Sequence, residues 1–442
     1  MGVTQVLAEE IAATRYDDIP PAARQQAKRL LIDHVGIAYM GFQFTGRALA
    51  DYAKDVGGTP EAVIIGDGGR VTAELAAGVN AQYCRNTDFE ETGPGLHAGP
   101  VMAHTAFAVG QRVGASGQDV LAATALGYEL NGRFFYARRD NDIRHWALCA
   151  AAVAARLLDL SPQAINRALS IAWELPTKSL LFQLPKIAKR VSRLGSGNLW
   201  LGRHGVQAGL MAARGFDQLS DEIDVLGSEY QLSALVRSPS PYHYTATELM
   251  LKPWPSSRLC HGALQMLERI VAEERIAPEE ITRVRLHLAD LYTIPHQFDP
   301  APDEYWQAIY SVQWGTAMAL LRLPPGPAWY TTERLRDPVS RALAQKIELV
   351  EDPEASAALR TKRWLDIPNT VELHARGRVF RDRIVFHDVL GSPRNPMPEP
   401  MLEAKFKRLA GAVIGEPKAA ALFASLAQFE RLANVNGAAE LM

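Results

Sequence analysis

The spacing of apolar residues constrains this chain more than any other feature. From Thr4 to about Asp55, and again from Val71 to Leu235, they recur at three- and four-residue intervals with few β-branched alternations, the pattern of amphipathic helices. Pro20 and Pro21 lead into ARQQAKRLLIDHVGIAYMG, where Leu30, Leu31, Val35 and Ala38 would form a buried face and Gly41 would end the helix. The period changes after Lys252. The run CHGALQMLERIVAEERI is helix-like, but Val284, Leu286 and Leu288 then alternate with Arg283, Arg285 and His287, which predicts a half-buried strand. A helix is expected from about Trp306 to Leu323, then strands in RALAQKIELVED and NTVELHARGRVFRDRIVFH, the latter a hairpin turning at Arg376-Gly377. Four prolines and a glycine in GSPRNPMPEP, residues 391–400, make a linker, and helices resume beyond it. The expected fold is mainly α with an α/β lid: a large all-helical domain built from both termini, residues 1–255 and 395–442, with residues 256–394 inserted as a smaller α/β domain.

A chain of 442 residues, 48% hydrophobic and 22% charged, can bury a large core. Lys+Arg of 47 against Asp+Glu of 49 leaves a net charge of -2, which gives no sign of a nucleic-acid or membrane partner and favours a small ligand. Cys84, Cys149 and Cys260 lie far apart without a CxxC pair, as expected of buried thiols in a reducing compartment. The opening MGVTQVLAEE lacks a basic stretch leading into an apolar one, and no apolar run reaches membrane-spanning length, so a cytoplasmic protein is expected.

Chemistry-bearing residues concentrate in two places. NTDFEETGPGLHAGPVMAH, residues 86–104, gathers Asp88, Glu90, Glu91, Thr92, His97 and His104 around a broken loop where a general acid or base can be held. Acidic residues before a helix also serve as caps, and His104 on an apolar helix reads as a core residue. His97 and His104 stand seven apart rather than the four of a helical metal pair, so no metal is assigned. LMLKPWPSSRLCHGALQML, residues 249–267, sets Lys252, Ser256, Ser257, Arg258 and His261 at the expected domain junction, where the cations would neutralise an anionic substrate or simply be solvated. His145 opens a very apolar helix, whose positive end would keep its ring neutral. The glycine clusters at 66–70 and 194–198 complete no phosphate-binding fingerprint, and no nucleotide is assigned.

In order along the chain, AKRLLIDHVGIAYMG, TDFEET followed by HAG, RHWALCAAAVAARLLDLSPQAINRALSIA, KPWPSSRLCHGAL and GSPRNPMPEPMLEAKFKRLA resemble the segments of the MmgE/PrpD family, the group containing 2-methylcitrate dehydratase and cis-aconitate decarboxylase. The resemblance implies a helical domain built from both termini, an α/β lid, an active site between them and a homodimer. It carries Asp88, Thr92 and His97 onto the family's loop positions, His145 onto its next active-site histidine, and Lys252 and His261 onto the junction motif. This sequence departs from the family at Glu90-Glu91 (an Asp pair there), at Ala98 (a proline), at Arg85 (a histidine) and at Ser257, where the decarboxylase branch has a further histidine. Carrying a substrate lysine onto Lys189 has little support in LPKIAKRVSRLGSGNLWLGRHG.

The implied chemistry is that of a cofactor-independent lyase of dehydratase type, taking a proton next to a carboxylate of a small hydroxy di- or tricarboxylic acid; the alternatives are an epimerase or isomerase of a similar acid, a decarboxylase of a cis-aconitate-like acid, or a scaffold without turnover. Asp88, His97, His145 and Lys252 are the expected catalytic residues; Thr92, Ser257, Arg258 and His261 the expected substrate-binding ones. Each cation at the charge that develops would contribute ~2–4 kcal/mol. No metal or organic cofactor is required.

Overall fold

Helices form where the apolar period asks for them. The computed structural model describes residues 2–94, 97–138, 144–174, 197–217, 219–225, 230–289 and 297–442; Lys189 lies outside the described residues. The first part of the chain forms α1 (Val3–Ala13), α2 (Pro21–Thr45), α3 (Ala48–Val56), α4 (Ala73–Arg85), α5 (Gly99–Val113), α6 (Gly117–Ala137), α7 (His145–Leu157) and α8 (Pro162–Glu174), followed by a helix at Asn198–Ala213. A short hairpin that the periodicity does not show, β1 (Ala62–Val63) with β2 (Arg70–Val71), holds the glycine cluster 66–70 in its loop. Helix α4 packs on α5, α2 and Asn198–Ala213, and α7 packs on α5.

Pro21 opens α2 at the first helical position, where its missing N–H costs nothing. The helix does not stop at Gly41, as expected, but runs to Thr45 and is closed by Gly46 in the left-handed region (φ 73°). Gly41 serves the packing instead: a Cβ there would lie 1.8 Å from the backbone oxygen of Tyr83, so the glycine lets the backbones of α2 and α4 touch.

Beyond residue 280 a sheet of order β4-β3-β5-β6 forms from β3 (Ile281–Leu288), β4 (Ile347–Glu351), β5 (Pro368–Ala375) and β6 (Arg378–Val385). β3 and β4 are parallel, so the chain between them must cross over, while β5 and β6 form the expected hairpin with Arg376 and Gly377 both at positive φ. Val284, Leu286 and Leu288 face inward, as their alternation requires. The helix His261–Glu273 packs on β5 and β6. The expected helix from Trp306 to Leu323 is two pieces, Tyr305–Ala308 and Val312–Leu320, because the Ser311 hydroxyl accepts the Trp314 N–H (3.0 Å) and starts the second one afresh.

The fold is thus mainly α with a smaller α/β part. The segment 391–398 is irregular, and Glu399–Ile414 returns to pack on α2, so the two ends of the chain share one hydrophobic core. Among the described residues no helix is long and apolar enough to cross a membrane.

Because the Gly41 contact is backbone against backbone, Gly41→Ala must push α2 from α4. We expect a loss of about 1–3 kcal/mol, read by thermal or urea unfolding; an unchanged midpoint would show that the helices separate freely.

Candidate active site

The turn after α4 decides which way the acidic loop faces. Thr87 donates its hydroxyl proton to the Cys84 carbonyl (3.0 Å) and its oxygen accepts the Phe89 N–H (3.3 Å), while Asp88 takes the left-handed conformation (φ 48°) that Asp tolerates. Side chains then alternate. Asp88 and Glu90 point to one side, where they meet Arg85, His97 and Lys252; Glu91 points to the other, against His34 and Tyr128. Gly99, the last residue of HAG, makes room for Glu91, since a Cβ there would fall 1.9 Å from its Oε1.

On the first side, Arg85 Nη1 lies 3.3 Å from Asp88 Oδ1 and 3.2 Å from Glu90 Oε1. Lys252 Nζ donates to the Asp88 carbonyl (2.8 Å) and lies 3.3 Å from Oδ1. His97 Nδ1 is 2.6 Å from Glu90 Oε1 but 3.8 Å from Asp88 Oδ1. Of the two carboxylates, Glu90 is therefore the imidazole's nearer partner. A carboxylate opposite Nδ1 places the proton on that nitrogen and leaves Nε2 as the basic one. Burial alone would raise the Glu90 carboxyl; Arg85, then His97 and Lys252, outweigh it and hold it well below the usual range. Burial, with Arg85, lowers the His97 imidazole and keeps it neutral, against the opposing pull of Glu90. The His97 side chain retains 18% of its exposure, against 3% or less for Arg85, Asp88, Glu90 and Lys252, so it is the member of the cluster that an incoming molecule can reach.

Two further cations differ in what they face. Lys252, expected to neutralise substrate, is already engaged by Asp88. Arg258 is not: it is buried, donates to Thr92 Oγ1 (3.2 Å), lies over the Trp364 ring (4.6 Å) and has no carboxylate at ion-pair distance among the described residues. Burial pushes its guanidinium down to about 10. Thr92 is pinned by paired backbone bonds to Met250 (2.9 and 2.8 Å), which brings the acidic loop beside the junction segment. The α/β part covers both arginines with aromatic rings, Trp364 over Arg258 and Tyr310 over Arg85 (5.7 Å).

Asp88, Thr92, His97, Lys252 and Arg258 are thus gathered around one loop. The other expected residues sit differently. His145, fully buried, packs on Phe134 (5.9 Å) and Trp146 (6.3 Å) at the start of α7. His261 donates from Nε2 to the Ser256 carbonyl (3.2 Å) and meets Trp254 edge-on, bracing the junction turn; burial and Lys252 hold its ring well below the ordinary imidazole range. Ser257 precedes the short helix Arg258–Cys260, and its carbonyl accepts from the Cys260 N–H (3.2 Å). His104 stacks on His34 (6.1 Å) in the core, as its apolar helix suggested. Glu90, Arg85, Tyr310 and Trp364 were not among the expected site residues; the two-residue step from Asp88 to Glu90 was the signal available for the first.

Asp88, Glu90 and His97 each offer an atom within 4.8 Å of the others, a donor set able to hold a metal ion. Arg85 and Lys252 already neutralise both carboxylates there, and a dication would have to displace them. A cleft of about 380 Å³ lined by Tyr136, Glu248, Lys362 and Trp364 includes none of this cluster.

Comparison with known proteins finds relatives that align with nearly the whole chain. Cis-aconitate decarboxylase of Homo sapiens is 24% identical, with 93% of this chain and 88% of that protein aligned. The same-named protein of Mus musculus is 23% identical over 93% of this chain and 87% of its own; that of Aspergillus terreus (strain NIH 2624 / FGSC A1156) is 22% identical over 100% and 96%. The MmgE/PrpD N-terminal domain matches residues 5–224 and the MmgE/PrpD C-terminal domain residues 254–428, and with both halves matched in order the chain belongs to the MmgE/PrpD family.

Proposed function

We propose that this protein is a cofactor-independent lyase that takes a proton from carbon next to a carboxylate of a small hydroxy di- or tricarboxylic acid. The observation that carries the reading is the unbalanced charge. Asp88 and Glu90 are matched by Arg85 and Lys252, whereas Arg258 is a buried cation with no carboxylate at ion-pair distance among the described residues. A buried unpaired charge is costly. A substrate carboxylate binding Arg258 and Thr92 would remove that cost and be held where electrostatic stabilisation is strongest. His97, oriented by Glu90, then takes the proton; the electron pair forms a C=C bond as the hydroxyl leaves, carrying away the proton as water.

Supporting residues complete the reading. Lys252 holds Asp88 in place, and His261 braces the junction turn through the Ser256 carbonyl. The division into residues 1–255 with 395–442 and a lid of 256–394 is part of it, supported by the confinement of the four-stranded sheet to 281–385 and by the ring contact that Tyr310 of the lid makes with Arg85 of the helical body. The homodimer implied by the resemblance belongs to it as well.

The relatives named cis-aconitate decarboxylase favour decarboxylation as a second reading. Loss of carbon dioxide leaves a carbanion that needs a proton donor. Here Ser257 stands where the decarboxylase branch has a histidine, so one proton donor is missing, which favours elimination, or return of the proton as epimerisation.

Three outcomes are expected. His97→Ala should lower kcat by roughly a hundredfold, and in the parent the acid limb of kcat/KM should lie below the ordinary imidazole range, since an imidazole whose pKa is lowered keeps its basic form until the pH drops through that lowered pKa; parental turnover in the variant would place the base elsewhere. Arg258→Met should raise KM by about tenfold or more with little change in melting temperature, because no carboxylate among the described residues loses an ion partner with it; an unchanged KM would sink the carboxylate assignment. A panel of citrate-like acids followed by proton NMR in deuterated water should show deuterium gain or water loss next to a carboxylate; stoichiometric carbon dioxide from cis-aconitate at the rate of the best acid would overturn elimination in favour of decarboxylation.

A further inference from the structure

The peptide that carries Asp88 and Glu90 has a second buried side, which the chemistry above does not use. Lys405, on the helix Glu399–Ile414, is 2% exposed there. Its Nζ lies 2.7 Å from Asp33 Oδ1, 3.0 Å from the carbonyl oxygen of Lys252 and 3.3 Å from that of Phe89, and 3.7 Å from the centre of the Phe89 ring. An ammonium has three N–H donors, and all three are engaged. Four segments far apart in sequence meet at this one atom: α2 through Asp33, the acidic loop through Phe89, the junction through Lys252, and the C-terminal helix.

Stability alone is a poor reason to keep such a group. A buried ion pair exchanged for apolar side chains of similar volume commonly leaves a fold equally stable. What apolar side chains lack is donors for two carbonyls, one on the peptide between Asp88 and Glu90, the other belonging to Lys252 itself. We infer that Lys405, anchored by Asp33, is a positioning residue: by pinning the Phe89 and Lys252 carbonyls it sets the separation of the Lys252 ammonium from Asp88 and the place of Glu90 behind His97. Displacements of about 1 Å at such groups cost up to a hundredfold in rate. The inference rests on the site proposed above.

A cleft of about 580 Å³ lined in part by Pro253, Trp254 and Met401 reaches Lys405, giving small molecules a way in. The test uses the full chain and the best acid of the panel, comparing the double variant Asp33→Asn/Lys405→Met, the single variant Lys405→Ala with added ethylammonium, and Lys252→Met. The double variant, which strands no charge, should keep a near-parental melting temperature and KM but lose about tenfold or more in kcat. Lys405→Ala should lose as much and regain several-fold with ethylammonium, saturably, and not with ethanol. A folded double variant with parental kcat overturns the inference; so does, should the double variant not fold, a Lys405→Ala enzyme that ethylammonium leaves unchanged. Parental turnover by Lys252→Met would instead overturn the site itself, and so separates the two.

Discussion

Charges that are taken out of water must find partners, and at the turn after α4 that requirement organises the molecule. Asp88 and Glu90 are buried within ion-pair distance of Arg85, Lys252 and His97, which arrive from α4, from the junction 164 positions beyond Asp88, and from just ahead of α5. Each group alone would carry several kcal/mol of desolvation cost. Together they balance, and the balance holds only if the helices and the junction meet as they do. The same condition makes Arg258 conspicuous, since among the described residues this buried cation beside the loop has no carboxylate at ion-pair distance.

The backbone is arranged to keep these groups in register. The antiparallel bonds between Thr92 and Met250, the Lys252 ammonium on the Asp88 carbonyl and the Lys405 ammonium on the Phe89 and Lys252 carbonyls lace the loop to the junction from both sides. The Leu251 N–H adds a bond to the Gly391 carbonyl (3.1 Å), so the proline-rich stretch before the last helices is also tied to the junction. A segment that reads as a bare linker is therefore one wall of the support. The chain's return to α2 brings Lys405 into place, which gives the terminal helices a role in positioning as well as in closing the core.

Much of the fold was legible because burial imposes a period. The inward face of β3 follows from Val284, Leu286 and Leu288, and α2 begins where Pro21 says it should. Boundaries were less legible where a residue has two uses. Gly41 reads as a helix stop but serves a backbone contact with Tyr83, and Ser311 breaks a helix that the apolar pattern would continue. At the site, the acidic loop and the junction stood out by composition, and Asp88, His97, Lys252, Thr92 and Arg258 are indeed brought around one loop. Glu90 was visible but its partnership was not, because whether Asp88 or Glu90 meets the imidazole depends on the left-handed turn at Asp88.

By itself the sequence determined the helical body, the late α/β part, the family and the two segments rich in acid–base groups, since these depend on local periodicity and on residue types in order. The tertiary structure alone decided which charge meets which. Lys252 is spent on Asp88, Arg258 has no carboxylate partner among the described residues, His97 leans on Glu90, and Lys405 reaches the loop from the far end of the chain. The physical reason is that Coulomb and hydrogen-bond energies fall off over a few ångströms, whereas the residues involved are separated along the chain by distances that no local pattern records.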